Sequence, residues 1–122
     1  MKKTLFAVLF IFSIIILSLN SCSKNSPSGN GGGISFSCTG ISPKFSTDVQ
    51  PILNTVCSIN SNCHGAGSAN TGGPLTNQSE VSAKSVRIRA AILAGSMPQS
   101  GSLSQAQVNA FICWIDSGSP NN

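Results

Sequence analysis

The sequence predicts an all-α protein: a small domain of three short helices behind an apolar leader and a flexible tether. Three observations carry this. Apolar residues beyond the tether recur at helical spacing in three windows, capping residues and glycines punctuate those windows, and no stretch of useful length alternates as a strand does. The chain divides accordingly into a leader over 1–21, a tether over 22–33 and one domain over 34–122.

Of the first 21 residues, 14 are hydrophobic. Lys2 and Lys3 form a positive start, and the apolar run Leu5–Leu19 is interrupted only by Ser13 and Ser18. It falls short of the roughly 20 residues a membrane span needs and suits the apolar region of a signal peptide. Leu19-Asn20-Ser21-Cys22 follows and resembles the lipobox of bacterial lipoproteins. That resemblance implies cleavage before Cys22, diacylation of its thiol and an anchor on a bacterial membrane, with Ser23 favouring the outer membrane. An uncleaved N-terminal anchor is the other reading. Both export the domain, to the periplasm or the cell surface. Ser23–Gly33 (SKNSPSGNGGG) has nothing to bury and predicts a spacer.

From Cys22 onward 101 residues remain, of which 35 are hydrophobic, with one Trp, no Tyr and a net charge of +2. A core this small calls for a disulfide, a metal or a cofactor. Two excess positive charges without a basic cluster exclude a nucleic-acid surface. One His and three acids give no triad and no carboxylate pair, which argues against a hydrolase.

The domain opens on an irregular lead-in with Ile34, Phe36, Cys38 and Ile41. The first predicted helix, Ser46–Val56, begins with polar capping residues, carries Pro51 near its start, and stacks Val49, Ile52, Leu53 and Val56 on one face. The second runs from Val81 to Ala94, has Ile88, Ala91 and Ile92 on one face, and stops at Gly95. The third begins at Ser104. Gln107 three residues later completes a capping box, Leu103 with Val108 forms a hydrophobic staple, and Gly118 ends the helix. Val108, Phe111, Ile112 and Ile115 make its stripe, and Trp114 is expected in the core against Val49, Ile52 and Leu53. The segments 58–80 and 96–102 are rich in Gly, Ser and Asn and predict loops.

Four cysteines follow Cys22, namely Cys38, Cys57, Cys63 and Cys113, and in an oxidising compartment they permit three full disulfide pairings. Cys57 and Cys63-His64 flank five residues directly after the first helix; Met97-Pro98 sits between the second and third. His64 is the chain's single histidine, and Met97 is the one methionine beyond the leader. A zinc site of Cys57, Cys63 and His64 lacks a fourth ligand of the usual kind.

The order helix, Cys…Cys-His, Gly-rich loop, helix, Met-Pro, helix with Trp resembles the class I c-type cytochrome domain along essentially all of 34–122. The resemblance implies a small three-helix cytochrome c-like fold holding one covalent haem c. Cys57 and Cys63 would be its thioether attachments, His64 the proximal iron ligand and Met97 the distal one. It also implies a one-electron carrier, monomeric, that exchanges electrons with a protein donor and acceptor. Gly73-Pro74-Leu75 is similar to the family's Gly-Pro-x-Leu segment, in which the proline carbonyl orients the proximal histidine, and this points to Pro74. Arg87 and Arg89 would either face a haem propionate or lie solvated on the helix surface. Because the family's first and last helices pack together, Cys38 and Cys113 become candidates for a disulfide.

The family's attachment motif spaces its cysteines by two residues, whereas five separate Cys57 from Cys63. Double attachment therefore requires Ser58–Asn62 to bulge outward, which Ser and Asn tolerate. The competing reading pairs Cys57 with Cys38 or Cys113. That leaves haem on one thioether, or a haem-free, disulfide-stapled module of the same fold with a binding or structural role.

Overall fold

The structure is a computed structural model that describes residues 33–122; the leader, Cys22 and the tether up to residue 32 lie outside the described residues. The described residues are helical, without a strand. No helix among them is long and apolar enough to cross a membrane. Four helices form where the sequence predicts three.

The first, α1, is one continuous helical segment wound unevenly: a π-helical start Phe45–Val49, an α-helical turn Gln50–Ile52 and a second π-helical stretch Leu53–Cys57. Pro51 explains much of the widening, because it has no N–H to give the i−4 carbonyl and its ring crowds that carbonyl. The Gln50 N–H accordingly reaches five residues back to the Phe45 carbonyl, and Ser58 N–H does the same to Leu53 at 2.7 Å. The polar residues at the start do not cap in the expected way. The cap is Lys44, whose N–H is taken by the Asp48 carboxylate at 2.8 Å. Asn122 takes two further donors: its side-chain oxygen accepts from Phe45 N–H at 2.7 Å and its main-chain oxygen from Ser46 N–H at 3.0 Å.

The expected second helix, Val81–Ala94, is instead two: α2, Gln78–Ala83, and α3, Ser85–Leu93, broken at Lys84 with φ −116° and ψ 9°. Ser82 and Ser85 weaken the helix on either side, and the Lys84 ammonium is drawn across to the Pro74 carbonyl at 2.8 Å. The α2 start also lies three residues earlier than predicted, because Asn77 caps it by accepting from Glu80 N–H at 3.0 Å. Gly95, at φ +67°, stops α3 as expected. The last helix, α4, spans Gln105–Asp116 with the predicted capping box in place: Ser104 Oγ accepts from Gln107 N–H at 3.3 Å, and Gln107 Oε1 accepts from Ser104 N–H at 2.9 Å.

The core lies where α4 crosses α1. Val49, Leu53, Val108, Phe111, Ile112 and Trp114 are essentially without exposure. Trp114 is packed as expected against the α1 stripe, with its ring 5.4 Å from Phe45 and 6.3 Å from Phe111. Its indole N–H is satisfied by the Pro120 carbonyl at 2.9 Å, so burial costs it no hydrogen bond. The lead-in is irregular, as predicted, and straps the helices together. Ile34 N–H bonds the Leu93 carbonyl at 2.8 Å, Ser37 N–H bonds Asn109 Oδ1 at 3.1 Å, and Cys38 is disulfide-bonded to Cys113. Arg89 joins α3 to α4 through a two-pronged pair with Asp116, at 2.7 and 3.1 Å, and lies over the Phe36 ring.

Two predictions follow from these supports. The Cys38–Cys113 bond closes a separation of 75 residues, for which chain entropy assigns about 4 kcal/mol. A Cys38→Ser/Cys113→Ser double variant should lose stability on that scale in a denaturant titration, and an unchanged midpoint and slope would contradict it. Glu80 accepts from Thr76 N–H at 2.7 Å and Thr76 Oγ1 at 3.0 Å, and the Thr76 N–H foremost holds its carboxyl below the ordinary 4.5. With the folded value depressed, the stabilisation is fully present above the unfolded carboxyl's pKa and is lost as pH falls through the folded value. Glu80→Gln should flatten that part of the acid-unfolding curve; a curve superimposable on the wild type would refute the role.

Candidate cofactor site

Between α1, α3, α4 and the two glycine-rich loops lies a cavity of about 700 Å³. That is within the range of small-molecule and cofactor pockets. Its apolar wall includes Val56, Leu75, Ile88, Ile92, Leu103 and Phe111. Cys57, Cys63, His64 and Met97 all line this one cavity, although 40 residues separate the first from the last.

Cys57 ends α1, and its carbonyl accepts from His64 N–H at 3.0 Å, which folds the Cys63-His64 pair back against the helix. Both Cys57 and Cys63 are free thiols, each half-buried. Burial first, and the neighbouring Cys63 second, push the Cys57 thiol up to about 11, so it is protonated at neutral pH. The pairing of Cys38 with Cys113 thus leaves the other two for the cavity.

His64 is held from behind. Its Nδ1 lies 2.8 Å from the Gly73 carbonyl. A carbonyl only accepts, so Nδ1 carries the proton and the neutral ring keeps its lone pair on Nε2. Gly72 makes the seat: a Cβ there would lie 2.7 Å from His64 Cε1. Leu75 N–H closes the loop onto the His64 carbonyl at 2.8 Å, and Ser58 Oγ bonds the Leu75 carbonyl at 2.6 Å. The oxygen that orients the ring is therefore that of Gly73. This corrects the assignment to Pro74, whose carbonyl instead takes the Lys84 ammonium at 2.8 Å. One residue of register along the segment decides the matter, and residue order alone does not set it.

Met97 is brought to the cavity by the tight stop of α3. Ser96 and Met97 N–H both return to the Ala91 carbonyl, at 3.0 and 3.3 Å. Of the two arginines considered, Arg87 lines the cavity, whereas Arg89 is committed to Asp116 outside it. Lys84 also lines it and was not singled out from the sequence; an isolated lysine inside a predicted helix gives no sign that it will bridge to a distant loop. Among the described residues, no three His, Cys, Asp or Glu side chains are grouped to share a single metal ion. Comparison with family models, with curated proteins and with solved structures gives no match to this chain.

The donor set is two thiols, one imidazole with Nδ1 engaged and Nε2 free, and one thioether. These are soft and borderline ligands of the kind that suit a haem iron and its covalent attachment. Together with a large apolar wall, they fit a haem c. The seat of His64 is directly testable. Gly72→Ala should displace the ring, at a cost of about 1–3 kcal/mol as for other overpacked sites, and move the imidazole nitrogen resonances. Unmoved resonances would show that the glycine is not needed.

Proposed function

We propose that this protein is a membrane-anchored haem c electron carrier: a one-electron transfer protein that turns over no substrate. The observation that carries the proposal is the convergence of Cys57, Cys63, His64 and Met97 on one largely apolar cavity, while Cys38 and Cys113 are occupied with each other. The same pairing weighs against a bond from Cys57 to Cys38 or Cys113; the second reading is a haem-free binding or structural module stapled by two disulfides, Cys38–Cys113 and Cys57–Cys63.

In this reading Cys57 and Cys63 would hold the haem covalently through their sulfurs. His64 supplies the proximal ligand nitrogen, with its ring fixed by Gly73 and Gly72. A histidine held in this way by a carbonyl is a stronger and better-oriented donor. Met97 supplies the distal sulfur. Haem c, when bound, provides the ferric/ferrous couple, and a His/Met pair favours the reduced iron and raises the potential. The apolar wall would bury one side of the group, and Arg87, which lines the cavity while Lys84 is bonded to the Pro74 carbonyl, would meet an acidic substituent.

The leader and Cys22 support export and a lipid anchor on a bacterial membrane, the outer membrane by the serine that follows. The domain then works in the periplasm or at the cell surface, as a monomer that accepts electrons from one redox protein and gives them to another. The cytochrome c-like architecture belongs to this proposal too. It is supported by the crossing of α1 and α4 and by the order of the ligating loops.

The test is intact mass and absorption of the full-length chain, matured in a periplasm that attaches c-type haem. The expected result is a mass raised by one haem and a reduced spectrum of low-spin iron. An apo mass with no visible absorption would overturn the proposal. Met97→Ala should lower the potential and open the sixth position to added ligands; a variant with unchanged spectrum and potential would remove Met97 from the ligand set.

A further inference from the structure

We propose that Asn60, assisted by Asn70, is the positioning residue that lets a five-residue spacer act as a two-thiol attachment site. The inference rests on the electron-carrier reading for its purpose and on the loop geometry for its content. With two residues between cysteines, a single turn of chain holds both sulfurs on one side. With five, the spacer must be closed by interactions of its own, or the second thiol wanders relative to the first.

The structure contains such a closure, and it centres on one side chain. Asn60 Oδ1 accepts from Asn62 N–H at 2.9 Å and from Cys63 N–H at 3.1 Å. The Asn60 carbonyl accepts from Cys63 N–H at 3.1 Å and from Gly65 N–H at 2.8 Å. The wrap is so tight that a Cβ on Gly65 would lie 2.7 Å from the Asn60 carbonyl carbon and oxygen. Asn70, which lines the cavity, ties the same stretch, its Nδ2 donating to the Asn62 carbonyl and, at 2.8 Å, to the Cys63 carbonyl. His64 N–H to Cys57 O, at 3.0 Å, ties the closed loop to the end of α1. Asn60 and Asn70 are themselves exposed and belong to no core. Their amides therefore act by holding backbone, and the backbone they hold carries Cys63 and His64. Replacing Asn60 by Ala removes the side-chain acceptor that the Asn62 and Cys63 N–H groups share; Cys63 N–H keeps the residue-60 carbonyl, whereas Asn62 N–H is left to water and that side of the loop is free to open.

The first readout needs no haem. In the full-length chain produced without haem attachment, glutathione disulfide oxidises the two free thiols to a Cys57–Cys63 disulfide and is reduced to two glutathione thiols. The equilibrium gives the effective concentration of one thiol at the other. We expect Asn60→Ala to lower it about tenfold, the weight of one to two hydrogen bonds, and Asn70→Ala by a smaller factor. Asn60→Asp keeps the acceptor oxygen and should retain the wild-type value, which separates positioning from misfolding. Equal values for wild type and Asn60→Ala would overturn the inference. The second readout is the absorption of the alkaline pyridine adduct of the haem-bearing chain, which distinguishes one thioether from two. Wild type and Asn60→Asp should show two, and Asn60→Ala should shift toward one; two in Asn60→Ala would also overturn it. A wild-type chain that carries no haem would overturn the electron-carrier reading, while the glutathione equilibrium would still judge the loop.

Discussion

The crossing of α1 over α4, with Trp114 wholly buried at its centre, is the contact on which the other features depend. Few large side chains are available to this small domain, and most of them meet there: Phe45, Leu53, Phe111, Ile112 and the indole itself. Deleting an aromatic of this kind from a core costs on the order of 3–5 kcal/mol, a large share of what a domain of this size possesses. The crossing also sets where the first loop leaves α1 and where the second enters α4. The cavity lies between those two points.

Around that crossing the chain is held mostly by polar ties. The lead-in is bonded along α3 and α4 and locked by the Cys38–Cys113 disulfide; Asn122 caps the start of α1; Arg89 pairs with Asp116. An exposed pair such as Arg89–Asp116 adds at most about 1 kcal/mol, so the disulfide and the buried seam dominate. This division leaves the loops free to be built for the cavity. The loop over 58–76 is organised by backbone hydrogen bonds, asparagine side chains and two close glycine approaches, at Gly65 and Gly72, and its hydrophobic contribution to the core is the single residue Leu75.

Much of this was legible in the residues. The α4 capping box, the Gly95 stop, the irregular lead-in and the buried role of Trp114 are local patterns, and each depends on neighbours within a turn or two. The elements misread are those in which a distant partner intervenes. Pro51 announces an early helical position, yet at position seven of α1 it widens the helix to π geometry on either side, and Asn122 from the far end of the domain takes the first N–H groups. Lys84 reads as a mid-helix residue until Pro74, ten positions earlier, presents its carbonyl. Asn77 is a good cap by type, but its polar neighbours hide it inside a predicted loop.

The helical class of the domain, the punctuation of its helices, and a short roster of residues with chemistry, Cys57, Cys63, His64 and Met97, can be read from the residues alone. Residue types, spacing and capping rules act locally, so they can be read locally. The pairing of the cysteines, the carbonyl that orients His64, and the meeting of the four chemical residues in one cavity emerge only in the folded chain. Those are questions of distance between parts of the chain far apart in order. The register of a loop or the break in a helix is settled by whichever long-range contact satisfies the most buried polar groups, and that choice exists only once α1 and α4 have crossed.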